Sequence, residues 1–116
     1  MTAAAWDVLF LLLPDSLILD WAGPAEALRM ANQAMLQQGR AAPFRLRFVG
    51  PEAQTRSSVG AQIAGLEPLP RTLERPSWLV LLGQPGTRVA VNHPACQTAL
   101  RWLRQQPLQA RRKSVV

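Results

Sequence analysis

Apolar and polar residues follow two different periodicities along the chain, and together these predict alternating strands and helices. Residues 6–13 (WDVLFLLL) and 78–82 (WLVLL) are short apolar runs ended by Pro or Gly, which is typical of strands buried on both faces. In residues 44–49 (FRLRFV), Phe and Leu alternate with Arg, which predicts a half-exposed strand. Residues 55–64 predict a short hairpin or two small strands around Gly60, and the three prolines of residues 66–76 predict a loop. Residues 114–116 resemble the start of a third buried strand.

Two stretches with helical spacing lie between these strands. We expect the first helix to begin at Pro24, after a loop, and to end at Gly39, since Pro suits the first helical position and Gly the position after the last. Glu26 would then lie in the first turn, where the helix dipole favours an anion. Asn92 is expected to cap the second helix, with Pro94 in its first turn. The stripes expected to face the sheet are Ala27, Leu28, Ala31 and Met35, then Ala95, Ala99, Leu100 and Leu103.

This order of elements predicts an α/β fold. Strands that alternate with helices form a largely parallel sheet with right-handed crossovers, so helices cover both faces of the sheet. The chain has 116 residues, which is enough for one small domain and too few for two.

Composition excludes several kinds of site. A single cysteine, Cys96, and a single histidine, His93, rule out a disulfide framework and the usual zinc clusters. We therefore expect no metal and no cofactor.

The longest apolar run, residues 8–13, is far shorter than the roughly 20 residues of a membrane span. Asp7 precedes this run and no basic residue does, unlike a signal peptide. We expect a cytoplasmic protein without a membrane partner.

Charge is divided unevenly between the two parts of the chain. The net charge is +6, of which residues 1–70 contribute −1 and residues 71–116 contribute +7. The densest basic cluster is Arg111–Lys113, which is short for a nucleic-acid arm and contains no aromatic residue for base stacking. A solvated surface is the simpler interpretation of this cluster.

Candidate chemistry lies where the strands end, because open α/β sheets bind ligands beyond the carboxyl ends of their strands. Asp20 lies between Leu19 and Trp21. Its carboxylate is either partly desolvated, and then a candidate reactive group, or bonded to backbone N–H groups near the helix start. Residues 83–87 (GQPGT) can cradle an oxyanion with backbone N–H groups, although a plain turn is the simpler interpretation. Cys96 is expected to be a small buried residue, on a helix that packs on a face of the sheet and does not reach the strand ends. The other amino-terminal acids, Asp7 and Asp15, are expected to be surface groups.

Residues 10–32 (FLLLPDSLILDWAGPAEALRMAN) resemble the amino-terminal segment of the ThiJ/PfpI superfamily, whose fold is related to class I glutamine amidotransferases. Within it, they are most similar to the sensor domains of GlxA-like, AraC-type transcriptional regulators, which share a "LLDLAGPAEVL" signature. Residues 44–63, 78–86 and 98–116 are similar, in the right order, to later segments of that domain.

The resemblance implies a flavodoxin-like sandwich of which this chain is the front half. The family's nucleophilic cysteine would follow Ser114–Val115, so the cysteine elbow and the helix-turn-helix module are expected to be absent. The acidic partner of that cysteine matches Asp20, and the glycine turn matches Gly83. Gln84 departs from the family's common Pro-Gly-Gly, which counts against a standard oxyanion pocket.

These matches imply the small-molecule-sensing part of an AraC-type transcriptional regulator. Its candidate ligand-site residues are Asp20, Gly83 and Gln84, and it has no catalytic residue of its own. The expected partners are a small effector, DNA through the missing carboxyl-terminal domain, and a second subunit in a full-length homodimer. The alternative is a fragment of a cysteine enzyme of the same superfamily, such as an isocyanide hydratase. A truncated chain of either kind is expected to be poorly soluble, dimeric or marginally stable.

Overall fold

The computed structural model describes residues 6–86 and 92–106, and the backbone of residues 114–115. It is a mixed α/β structure with a parallel sheet and two helices. The elements in chain order are β1 (Trp6–Leu11), α1 (Ile18–Gln37), β2 (Phe44–Gly50), β3 (Thr55–Arg56), β4 (Gln62–Ile63), β5 (Glu67–Pro68), β6 (Ser77–Leu81), α2 (Pro94–Gln105) and β7 (Ser114–Val115).

The main sheet has the strand order β5-β2-β1-β6-β7, and all of its neighbouring strands run parallel. β1 lies at its centre and pairs along its length with β2, from Trp6 opposite Phe44 to Leu11 opposite Val49. The central position explains why the interior of β1 is apolar without alternation, since both of its faces are covered. β3 and β4 form the predicted antiparallel hairpin, with Gly60 at a φ of 85° in its turn.

Each face of the sheet carries one helix and one apolar core. On the α1 face, Val8 and Phe10 pack with Ala25 of the helix. On the other face, Leu9 and Leu11 pack against α2 through its buried Ala99. Helices on both faces are what the alternation of strands and helices predicts.

The prediction that the first helix begins at Pro24 is wrong. α1 begins six residues earlier, at Ile18, and Pro24 lies inside it. Pro24 lacks an N–H and cannot bond the carbonyl of Asp20, so the sequence pattern indicates a helix start at that point. The structure keeps the extra turn because Trp21 and Ala25 pack on the sheet. Glu26 consequently lies beyond the first turn, where it pairs with Arg29 on the helix surface.

The second helix also begins differently from the prediction. His93 rather than Asn92 is the N-cap, and its Nδ1 accepts a hydrogen bond from the N–H of Ala95 at 3.1 Å. Pro94 is the first helical residue, as predicted. The expected sheet-facing stripes are also partly wrong. Ala27 and Leu100 are exposed, whereas Cys96 and Trp102 are buried in α2.

The segment between the hairpin and β6 contains one short strand, β5, in place of the loop that its prolines predict. A proline is tolerated there because β5 pairs with β2 alone among the described strands. β6 is less buried than the prediction of a strand covered on both faces requires. Its interior residues are half-buried and Trp78 is 45% exposed.

The prediction that Asp7 is a surface group is also wrong, because the residue is buried. Its side chain is 3% exposed, and its carboxylate accepts two hydrogen bonds from the guanidinium of Arg45, at 2.9 and 2.7 Å. Arg47 and Arg75 also lie within 3.7 Å of it. The three arginines come from β2 and from the loop before β6, which the fold brings to the amino end of β1.

Candidate functional site

The order in which strands are added to the sheet reverses between β1 and β6, since β2 and β5 lie on one side of β1, and β6 and β7 lie on the other. β1 continues into α1 on one face and leads to β2, whereas β6 continues into α2 on the opposite face and leads to β7. The two connections diverge on opposite faces of the sheet, and the region between the two strand ends is called the crevice below. In open α/β sheets this is the usual place for a ligand.

Asp20 and Gly83 meet in this crevice. Asp20 lies in the first turn of α1, and its Oδ2 accepts a hydrogen bond from the backbone N–H of Gly83 at 3.2 Å. The N–H of Leu17 donates to the carbonyl of Gly83 at 2.9 Å. Both polar groups of the Gly83 backbone are therefore bonded to the segment at which α1 begins, which fixes the two strand ends relative to one another.

Gln84 is the third member of the site. Its Nε2 donates to the carbonyl of Pro14 at 2.8 Å, so the side chain bridges the crevice from β6 to the turn after β1. Its side chain is also hydrogen-bonded to the thiol of Cys96. Asp20, Gly83 and Gln84, which lie far apart in the sequence, thus occupy one place in the fold.

Cys96 lies closer to this crevice than the sequence interpretation placed it. We expected the second helix to pack on the sheet without reaching the strand ends, but its first turn carries Cys96 against Gln84. Cys96 is 7% exposed, as expected for a small buried residue. Burial raises the pKa of its thiol, and the hydrogen bond with Gln84 lowers it by less. The thiol is therefore mostly protonated at neutral pH, and a thiol is a much poorer nucleophile than a thiolate.

Of the two interpretations of Asp20, the structure shows a carboxylate bonded to a backbone N–H. The donor, however, belongs to the β6 end and not to the start of its own helix. Within the described residues, Asp20 has no ion pair. A carboxylate fixed at one oxygen and free of a cation can accept a hydrogen bond from a ligand at its other oxygen.

An open cleft of about 470 Å³ adjoins the crevice at Pro14. Asp15, Arg56 and His93 line it together with residues of the hairpin. Asp15 has a φ of 63°, in the left-handed region, and pairs with Arg56 across the cleft wall at 3.1 Å. Sequence inspection did not single out this cleft, because its walls come from three distant segments.

The basic cluster Arg111–Lys113 lies outside the described residues, as does Thr87 of the glycine turn. Among the described residues, no three His, Cys, Asp or Glu side chains gather as metal ligands. Neither helix described by the structure is long and apolar enough to cross a membrane.

Comparison with models of known protein families and with curated proteins finds no match for the chain.

Proposed function

We propose that this chain is the small-molecule-sensing part of an AraC-type transcriptional regulator, with a flavodoxin-like fold and its effector bound at the crevice between β1 and β6. The observation that carries the proposal is the hydrogen bond between Asp20 and Gly83, which joins the two strand ends at the place where such sheets bind ligands. The resemblance of residues 10–32 to regulator sensor domains supplies the biological role.

The contacts at the crevice suit a sensor. The side chain of Asp20 bonds the N–H of Gly83, and the side chain of Gln84 bonds the carbonyl of Pro14. The backbone bond from Leu17 to Gly83 is a third restraint between the two strand ends. A ligand group that binds Asp20 or replaces its carboxylate at the Gly83 N–H changes the spacing of α1 and β6. Such a change moves α1, which covers one face of the sheet. An element packed on α1 can then pass this movement on as a signal.

A fragment of a superfamily cysteine enzyme is the alternative. It is favoured by the proximity of Cys96, Gln84 and Asp20, which places a thiol and a carboxylate at one crevice. The raised pKa of the thiol counts against it, since catalysis of this type requires a thiolate beside an acid. We propose that the chain alone has no turnover and does not bind DNA specifically.

Backbone amide NMR during titration with a panel of low-molecular-mass metabolites tests the location of the effector. We expect at least one compound to shift the amides of Gly83 and Gln84, and Asp20→Ala to abolish the shift. Asp15→Ala is the matched control, since Asp15 is also an acid near the carboxyl end of β1. A panel without any shift at these amides, or a shift that Asp20→Ala leaves intact, contradicts the proposal.

Two further measurements separate the regulator from the enzyme. Reading the gene beyond codon 116 is expected to show a helix-turn-helix region. A stop codon soon after the α/β domain favours the enzyme instead. Isocyanide hydration, glyoxalase and peptidase assays of the chain are expected to show no turnover, and turnover lost in Cys96→Ser overturns the regulator proposal.

A further inference from the structure

The open cleft beside Pro14 is large enough for a small molecule. Its volume of about 470 Å³ falls in the range of about 300–1,000 Å³ that is usual for ligand sites. Its walls come from the turn after β1, from the segment after β2 with the hairpin, and from the residue that caps α2. Asp20, Gly83 and Gln84 are not among the described residues that line it. The cleft is therefore a second candidate site, beside the crevice and separate from it.

The charge of the cleft is opposite in sign to that of the chain. With His93 counted as neutral, as in the net charge of +6, the described lining carries two acids, Asp15 and Glu52, and one base, Arg56. Arg56 donates from Nε and Nη2 to Oδ1 of Asp15 at 3.2 and 3.1 Å, so these two charges offset each other. Glu52 is exposed and forms no ion pair with another described residue. One uncompensated negative charge thus remains, which favours a cationic ligand.

The cation that fits this lining is an organic ammonium group rather than a metal ion. Asp15, Glu52 and His93 do not gather as metal ligands, since the described residues contain no cluster of that kind. Oδ2 of Asp15 accepts neither of the two bonds from Arg56. An ammonium group has three N–H donors, and the lining offers it this oxygen and the carboxylate of Glu52.

His93 supplies a hydrogen-bond donor at another wall of the cleft. Its Nδ1 accepts a hydrogen bond from the N–H of Ala95 at 3.1 Å, so the proton of the neutral ring is held on Nε2. His93 is exposed, and its Nε2–H can therefore donate to an oxygen atom of a ligand. The cleft offers acceptors for a cation and a donor for an oxygen.

Thr55 indicates independently that this wall takes a polar ligand. It lines the cleft, is 7% exposed, and has a buried Oγ1 that bonds no described residue. A buried hydroxyl without a partner is unfavourable. Rotation about the single side-chain torsion of Thr55 moves the hydroxyl to another staggered position, where a ligand in the cleft can become its partner.

We propose that the cleft binds a small molecule with a primary ammonium group and, a few bonds away, a hydroxyl or carbonyl oxygen. The ammonium donates to Glu52, and the oxygen accepts from Nε2 of His93. The inference does not rest on the proposed function, because the effector crevice has other residues. For a ligand of about six to eight heavy atoms in an open cleft, we expect a dissociation constant in the millimolar range.

Amide NMR titration of the chain with 4-aminobutan-1-ol and with 6-aminohexan-1-ol tests the proposal, since the two differ in reach. We expect at least one to shift the amides of Glu52, Thr55 and His93. Each amino alcohol is compared with the diol of the same length, which replaces the ammonium by a hydroxyl group. The diol is expected to bind at least about tenfold more weakly, because a charge-assisted hydrogen bond is lost.

Glu52→Gln tests the ammonium contact, because it removes the charge and keeps the size of the side chain. We expect it to weaken binding of the amino alcohol by at least about tenfold. Glu74→Gln is the matched control. Glu74 is also exposed, forms no ion pair with another described residue, and does not line the cleft. We expect this control to change binding less than about twofold.

His93→Asn and Thr55→Val test the other two contacts. Asn is a good N-cap residue, so His93→Asn keeps the start of α2 and removes the ring N–H. It is expected to weaken binding of the amino alcohol about threefold or more. Thr55→Val is expected to raise the urea midpoint of the free chain and to weaken binding, because it removes the unpaired hydroxyl. Circular dichroism establishes that each variant remains folded.

Four results would overturn the proposal. The first is the absence of any shift at the cleft amides with either amino alcohol at high millimolar concentration. The second is binding of the diols as tight as that of the amino alcohols. The third is equal weakening by Glu52→Gln and Glu74→Gln, which would indicate a general charge effect. The fourth is a set of shifts confined to Asp20, Gly83 and Gln84, which would place the amine in the crevice and leave the proposed function intact.

Discussion

The buried carboxylate of Asp7 offers the sharpest test of the energetics of this fold. Asp7→Asn keeps the size of the side chain and removes its charge. The wild-type carboxylate is 3% exposed and accepts two hydrogen bonds from Arg45, with Arg47 and Arg75 close by. The variant leaves three guanidinium groups around a neutral amide. Arg47 keeps its ion pair with Glu67 at 3.1 Å, but the three groups lose the counter-charge that they share.

The expected loss of stability follows from these contacts. A hydrogen bond to a charged group contributes about 1.5–3 kcal/mol, and breaking a buried ion pair costs about 3–5 kcal/mol. The Arg45 side chain is 51% exposed and can rehydrate when released, which reduces the loss. We therefore expect Asp7→Asn to lower the free energy of unfolding by about 2–3 kcal/mol at pH 7, or roughly 10 °C in Tm.

The loss should depend on pH with a definite sign. The hydrogen bond from Arg45 holds the pKa of the Asp7 carboxyl below its ordinary value, and burial opposes this shift. A carboxyl with a lowered folded-state pKa stabilises the protein fully above the unfolded-state pKa of about 3.9, and this contribution is lost as pH falls through the folded-state value. The difference between wild type and Asp7→Asn should therefore be constant from pH 7 to about pH 5 and shrink below about pH 4.

Urea unfolding followed by circular dichroism at pH 7, 5 and 3 measures this difference. Asp15→Asn is the control, because it is the same substitution in an acid that also pairs with an arginine but is 46% exposed. We expect this control to change stability by less than about 1 kcal/mol. The reasoning is refuted if Asp7→Asn costs no more than Asp15→Asn at pH 7, or if its cost is the same at pH 3.

Changes at Gly50 and Asn32 and the reactivity of Cys96 probe other parts of the fold. Gly50→Ala should destabilise the chain by about 2 kcal/mol or more in urea unfolding, because the added Cβ would lie 2.7 Å from the carbonyl oxygen of Leu12; an unchanged midpoint would show that β2 shifts at little cost. Asn32→Ala should cost about 1–2 kcal/mol, since the amide bonds both the N–H and the carbonyl of Phe44 and joins α1 to β2. Asn32→Asp, which retains the acceptor alone, should recover part of this loss. Cys96 should react with a thiol reagent at neutral pH much more slowly than in urea, because burial raises the pKa of its thiol; equal rates in both conditions would contradict its burial.

Patterns within a few neighbouring residues predicted most of the helices and strands. The apolar run of residues 6–13 and the alternation of residues 44–49 predict β1 and β2, and both are confirmed. The glycine at position 60 predicts the hairpin turn correctly. These predictions succeed because side-chain periodicity and turn conformation depend on local backbone geometry. The family resemblance and the regulator function stay predictions.

Asp20, Gly83 and Gln84 show how much of the candidate site could be predicted from the sequence. The rule that ligands bind beyond strand ends selected the two loops that contain them, and the structure places the three residues together. The hydrogen bonds between them could not be read from sequence. They depend on which strands are neighbours in the sheet, and a local pattern carries no information on strand order.

The sequence by itself determined that this chain forms an α/β structure with apolar strands and two helices, because these features follow from local periodicity. The tertiary structure alone decided three things: that α1 extends past Pro24 to Ile18, that Asp7 is buried among arginines, and that Cys96 lies beside Gln84. Each depends on contacts between segments far apart in the chain. The packing of Trp21 and Ala25 offsets the missing helix hydrogen bond at Pro24, and three arginines from distant segments stabilise a charge that local sequence would place in water.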